Sequence, residues 1–177
     1  MERDVAHLVL KSIDEVWERQ RGRFEGLTQE EYLWEPAPGC WSVSQVDGRW
    51  VVPPRVDPDP GPAPITTVAW RLWHIGPDCL GSYLRGGLGE WPLEVHDVEW
   101  YERVDDALAA VDRCWDAFRT GLGRLGDEGM WRPLGEAWGP FAPEPWAALV
   151  LHAQDELAHH GAEIGLLRDL WSRLRPS

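Results

Sequence analysis

Lysine is almost missing from this chain: one Lys stands beside 16 Arg, and 30 acidic residues outnumber them all, for a formal net charge of −13. That balance excludes a nucleic-acid partner, because phosphate binding needs a basic footprint. It equally disfavours an anionic membrane surface. No apolar run reaches the length that spans a bilayer, and the opening Met1-Glu2-Arg3-Asp4 has no signal-peptide core. Cysteine is scarce and odd in number. Cys40, Cys79 and Cys114 are far apart and form no CxxC pair, so neither a disulfide framework nor a cysteine zinc site is indicated. A reducing cytoplasm is the expected compartment, with each Cys acting as a small buried hydrophobe. There is no GxSxG elbow, phosphate-binding glycine loop or dinucleotide fingerprint. Isoleucine is scarce too, with four in all, a bias of GC-rich coding.

Tryptophan, by contrast, is abundant. Thirteen occur in 177 residues, more than packing alone demands, and Trp also lines pockets that need a flat apolar wall. The length suits one domain, 1–177, with a core that needs no staples.

Periodicity predicts four long helices. Residues 2–24 carry Val5, Leu8, Leu10, Ile13, Val16, Trp17 and Phe24 at helical intervals. Thr28-Gln29-Glu30-Glu31 is a capping-box pattern that opens a short helix ending near Pro36. A Pro-rich connector over 36–65 follows, with β-leaning pieces at Trp41-Ser42-Val43 and Trp50-Val51-Val52 around an Asp47-Gly48 turn, and a stiff excursion at Pro53-Pro54 and Asp57 to Pro62. Thr66 or Thr67 caps the second long helix, expected to kink after His74 at Gly76-Pro77 and to end at Gly86-Gly87. The third runs from about Val104 to Leu125, with Leu108, Val111, Trp115, Phe118 and Leu122 inward. Residues 126–145 read as loop, and the fourth helix as about Pro145 to Leu174. The fold class is therefore all-α: a four-helix bundle with a long Pro-rich loop, and a small hairpin in it, between helices 1 and 2.

The chemistry concentrates in the last helix. His152, Glu156 and His160 are four residues apart and share one face. Glu156 and His160 fall within the apolar stripe of Ala153, Leu157, Ile164, Leu167 and Trp171, where a carboxylate and an imidazole are costly without a compensating group. A divalent metal compensates both, and His74 in the second helix supplies a third ligand. Zinc accepts such a set with a position left open, and nickel, iron and manganese take similar ligands. His152 reads as a further ligand, a partner for Glu156, or an exposed side chain one turn away. Glu163 either orients the second nitrogen of His160 or is a solvated charge, the latter being the default. His7, His96 and His159 read as surface histidines. Trp17, Trp115 and Trp171 look like core, whereas Trp41, Trp70, Trp73, Trp138 and Trp146, in or beside segments near the expected metal, are candidates to wall its pocket. Arg71 is the candidate partner for a substrate or cofactor carboxylate.

Trp41-Ser42, Trp73-His74-Ile75 and Glu156-Leu157-Ala158-His159-His160-Gly161, in that order and spacing, resemble the DinB-like superfamily, which includes the YfiT-like bundles and the thiol-dependent S-transferases. The resemblance covers nearly the whole chain. It implies a bundle whose divalent metal is held by His74, Glu156 and His160. The commonest family pattern has three histidines, and Glu156 replaces one of them. A His, Glu, His set is similar to that of mycothiol-dependent maleylpyruvate isomerase, a zinc member. The GC-rich bias is compatible with an actinobacterial source, where mycothiol is the small thiol. The resemblance thus implies an S-transferase or isomerase acting on small electrophilic molecules with zinc or nickel and mycothiol. A metal-dependent hydrolase, a non-catalytic stress-related metal-binding bundle and a purely structural bundle remain open beside it. So does a homodimer, since bundles with exposed apolar faces often pair.

Overall fold

The computed structural model describes residues 5–52, 65–91 and 99–174. The expected excursion at Pro53 to Pro62, the start of the first helix at residues 2–4, and His96 lie outside them. The fold is an all-α bundle. Its four helical runs are α1 (Val5–Phe24), a composite run over 68–88, α5 (Val104–Gly123) and α7 (Trp146–Leu174). No helix among the described residues is long and apolar enough to cross a membrane.

α1 buries Ile13, Val16, Trp17, Gln20 and Phe24, an i, i+3, i+4 stripe, while Leu8 from the expected stripe faces out. Trp17 stacks on Trp115 of α5 at 4.6 Å, placing two of the three expected core tryptophans face to face. The third, Trp171, is only half-buried and meets Trp34 edge-on at 5.6 Å. It sits beyond Leu167, where α7 has begun to emerge from the core. Bidentate pairs Arg21–Asp112 and Arg119–Asp14 tie α1 to α5. Such half-exposed pairs contribute about 1 kcal/mol or less each, so apolar packing carries the bundle and the pairs fix its register. α1 and α7 approach closely because α7 has Gly161 and Gly165 at the contact; a Cβ on Gly161 would stand 2.4 Å from the Gln20 amide nitrogen. That amide nitrogen instead donates to the Leu157 carbonyl at 2.8 Å.

The capping box at Thr28 forms as read and starts α2 (Gln29–Leu33). The hairpin forms too, but its first strand is β1 (Ser44–Val46) rather than residues 41–43, paired with β2 (Arg49–Val51). The reason is the turn: Asp47 and Gly48 both adopt positive φ, a two-residue connection that forces the strands to abut it directly. Trp41 pairs with Thr66 instead: its N–H donates to the Ile65 carbonyl and its carbonyl accepts from Thr67. This draws the start of the second run against the connector. Thr67 is its N-cap, its hydroxyl accepting from the Trp70 N–H.

The second run does not kink as expected. α3 (Val68–Trp73) passes into a π-helix over His74–Leu80, then α4 (Gly81–Tyr83), then a second π turn over Leu84–Leu88. Pro77 has no N–H and its ring crowds the preceding turn, and a widened turn absorbs both without a break. Gly87, at φ 130°, marks the true end. The stretch 126–145, read as loop, holds α6 (Gly126–Met130) and a 3-10 turn at Glu136–Phe141. Its ends are pinned together: the Leu134 N–H donates to the Glu144 carbonyl at 2.8 Å, and the Gly135 N–H to Ala142 at 3.1 Å. Composition rich in Gly and Pro hid this order, because such residues serve tight turns and loose loops alike.

Candidate metal centre

The end of α3 and the middle of α7 face one another across the bundle, and three side chains meet there. His74 Nε2 lies 3.0 Å from His160 Nε2 and 3.2 Å from Glu156 Oε2, and His160 Nε2 is 3.0 Å from the same Glu156 oxygen. His160 is buried, while His74 and Glu156 are half-buried. The four-residue step on α7 sets the Glu156–His160 pair, and Thr67, by starting α3 where it does, sets the angular position of His74.

The other nitrogen of each imidazole is held. His74 Nδ1 is 2.8 Å from Asp78 Oδ2, and His160 Nδ1 is 2.7 Å from Glu163 Oε2. A carboxylate accepts only, so each Nδ1 carries a proton, and Nε2 is the nitrogen that each ring turns toward the cluster. Burial alone pushes the Glu156 carboxyl up, but His160, His74 and His152 outweigh it and hold it below its ordinary value. It is therefore ionised at neutral pH. Burial pushes the His160 imidazole down. Its hydrogen bond to Glu163 opposes that, and the Arg71 and His74 charges add to the downward shift. His160 is therefore neutral.

Three groups able to donate electron pairs thus converge within 3.2 Å of one another, an arrangement that a shared cation stabilises. The dimensions suit one. Tetrahedral zinc, with bonds of about 2.0–2.1 Å, spaces its ligands about 3.3–3.5 Å apart, a few tenths of an ångström beyond the separations here. The chain matches the family model of the DinB superfamily over residues 12–164. It belongs to the DinB superfamily. No curated protein and no solved structure matches it. DinB proteins commonly bind a metal, and in this DinB chain the His74, Glu156 and His160 cluster is well placed to do so.

Around the DinB cluster the remaining candidates separate. Glu163, read by default as a solvated charge, is engaged on three sides: by His160, by Arg71 Nε at 2.7 Å and by His159 Nε2 at 3.4 Å. Arg71 meets it as an ion pair rather than a well-directed hydrogen bond, with its guanidinium 5.0 Å over the Trp70 ring. The cation expected for a substrate carboxylate thus faces a carboxylate of the chain itself. His152 is 58% exposed, its Nε2 3.7 Å from Glu156 Oε1, beside the cluster rather than in it. Trp70 stacks on the His74 ring at 5.1 Å, and Trp41 and Trp73 pack on Trp70, making an aromatic backing behind the histidine. Trp138 stands elsewhere, in a groove with Tyr83 and Phe141, and Trp146 supports it edge-on.

Two residues escaped the sequence reading. Asp78 is four residues past His74, a spacing that would have identified it, but the expected break at Pro77 hid their shared face. Tyr83 had no local signal; its hydroxyl accepts from the buried Cys79 thiol at 3.3 Å. Of the cysteines, Cys79 and Cys114 are buried as expected and pushed up to about 12 by that burial, whereas Cys40 is only half-buried and raised less.

The metal-free protein should lose stability in acid. The unfolded chain takes up the His160 proton near the ordinary value of 6.5, whereas the folded chain resists until its own lower pKa. Folding is therefore penalised progressively as pH falls below 6.5. The lowered Glu156 carboxyl adds a second loss below its ordinary 4.5. Thermal unfolding of metal-free protein from about pH 7.5 to about pH 5.5 should show a falling Tm, and His160→Gln should flatten that first slope. A wild-type Tm unchanged across the interval would contradict the neutral buried imidazole.

Proposed function

We propose that this DinB protein is a metal-dependent enzyme that joins a low-molecular-weight thiol of the mycothiol type to a small electrophilic molecule, or isomerises the adduct. The observation that carries the proposal is the convergence of two imidazole nitrogens and a carboxylate from facing helices. A divalent ion bound there, zinc or nickel, supplies a Lewis acid that lowers the pKa of a coordinated thiol.

The chain's own residues do the rest. His74, Glu156 and His160 hold the ion and leave room for an exogenous ligand. Asp78 and Glu163 fix the two ring orientations, and Arg71 keeps Glu163 in place. His152, exposed and beside Glu156 Oε1, is positioned to take the proton that a thiol releases and to return it to a product. The raised pKa values of Cys40, Cys79 and Cys114 leave the protein without an activated thiol of its own, which supports a thiol arriving as cosubstrate. The same open donor set also serves water attack on an amide or ester, and His152 serves equally as the base for that second reading.

Metal-loaded protein, incubated with mycothiol and a chloronitrobenzene electrophile, should form the thioether. Chelation and His160→Ala should each abolish turnover while far-UV circular dichroism stays helical. Turnover that survives both would remove the metal mechanism. Hydrolysis of an amide set without thiol, in the absence of conjugation, would establish the second reading. Full metal loading with neither activity would make the bundle a binding protein.

A further inference from the structure

Beyond the cluster, toward the N-terminus of α7, lies a groove of about 430 Å³. Its walls are Tyr83, Leu134, Trp138, Phe141 and Leu149, from three separate segments. At one end stands His152, whose ring centre is 6.4 Å from that of Tyr83 and whose Nε2 reaches Glu156. The groove and the cluster therefore share a boundary residue.

The groove is rigidly built. The Trp138 indole N–H donates to the Gly86 carbonyl at 2.8 Å, and its ring stacks with Tyr83 at 6.1 Å. Gly86 is required for this, since a Cβ there would stand 2.1 Å from the indole ring. The 3-10 turn that carries Trp138 and Phe141 is pinned at its base and reverses at Gly139, φ 52°. Phe141 is nevertheless 64% exposed at the rim, a large apolar side chain held by an ordered backbone with nearly two-thirds of its surface uncovered. Among the described residues, Glu144 and His152 are the ionisable groups in the lining besides the Tyr83 phenol, and no Arg or Lys belongs to it.

We infer that this groove seats the non-reacting part of the substrate, and that it selects a flat, uncharged aromatic body over an anionic one. Tyr83, Trp138 and Phe141 offer ring faces and edges to such a body. Glu144, with the chain's net negative charge behind it, repels a carboxylate that no cation in the lining would meet. Arg71, whose charge acts on His160, is already turned to Glu163. Calling the occupant a substrate rests on the function proposed above, while the groove's preference for neutral rings does not.

The test is calorimetric titration with 2-naphthamide and 2-naphthoate, two probes of one shape that differ in charge. The amide should bind wild type at least about 10-fold tighter than the carboxylate. Phe141→Ala, at an exposed position that leaves the fold intact, should weaken the amide by about 3- to 10-fold, and Trp138→Ala by at least as much. Glu144→Gln should narrow the gap between the probes. His74→Ala should bind the amide as wild type does, so loss of the metal reading leaves this result standing. Equal or stronger binding of the carboxylate, or an affinity for the amide untouched by Phe141→Ala and Trp138→Ala alike, would overturn the inference whatever the metal content proves to be.

Discussion

Protein purified with added zinc or nickel should carry about one metal ion per chain, and His74→Ala and Glu156→Ala should carry almost none. The expected loss of affinity exceeds about 100-fold in each, since removing even a partner of a ligand costs about 10–100-fold. The physical reason is that each variant withdraws one corner of a three-point site, and the two remaining donors hold an ion far less well. A linked readout comes from stability. At metal concentrations about 100 times the Kd, binding adds about 2.7 kcal/mol to folding, so the wild-type Tm should climb on loading while those of the variants stay level. Wild type that elutes without metal after supplementation, or variants that retain it fully, would refute the ligand set.

The second large effect belongs to carboxylates that never touch the ion. Asp78→Asn and Glu163→Gln should each lower metal affinity about 10–100-fold, and the double variant more than either, with circular dichroism unchanged. Both amides are near-isosteric with what they replace, so packing survives. What disappears is the negative charge that keeps Nδ1 protonated and raises the basicity of Nε2. Glu163→Gln also removes the charge that Arg71 pairs with, so it alters two contacts and is the more damaging of the two. Unaltered affinity in both would mean that the hydrogen bonds at Nδ1 do no more than fill space.

Much of this was legible in the residues. Glu156 and His160 betrayed themselves by being polar within an apolar stripe, and His74 by being embedded in Trp70-Arg71-Leu72-Trp73, a segment too apolar for a solvated histidine. The family followed from those same motifs. The long helices were legible because Ile13, Val16 and Trp17, or Val111, Trp115 and Phe118, repeat at the period of an α-helix. Other features were hidden because they are made by tertiary contact. The Glu163 charge reads as solvated until Arg71, 92 positions away in sequence, folds onto it. Trp138 reads from the sequence as a wall of the metal's pocket, and its place in the neighbouring groove depends on an indole hydrogen bond to Gly86 across 52 residues. Pro77 signalled a broken helix, and only the packing around it decides that the helix widens instead.

That widened turn lies between two working parts. His74 opens the π segment, while Tyr83 and Gly86, which shape the aromatic groove, come after it. A π turn is an α-helix holding one extra residue, so deleting one residue between Ile75 and Leu80 would return the run to ordinary α spacing while leaving Tyr83 and Gly86 nearly in phase with His74. The bundle therefore carries a spacer at its centre: the widened turn takes in Pro77 while the aromatic groove keeps its aim against the ion site.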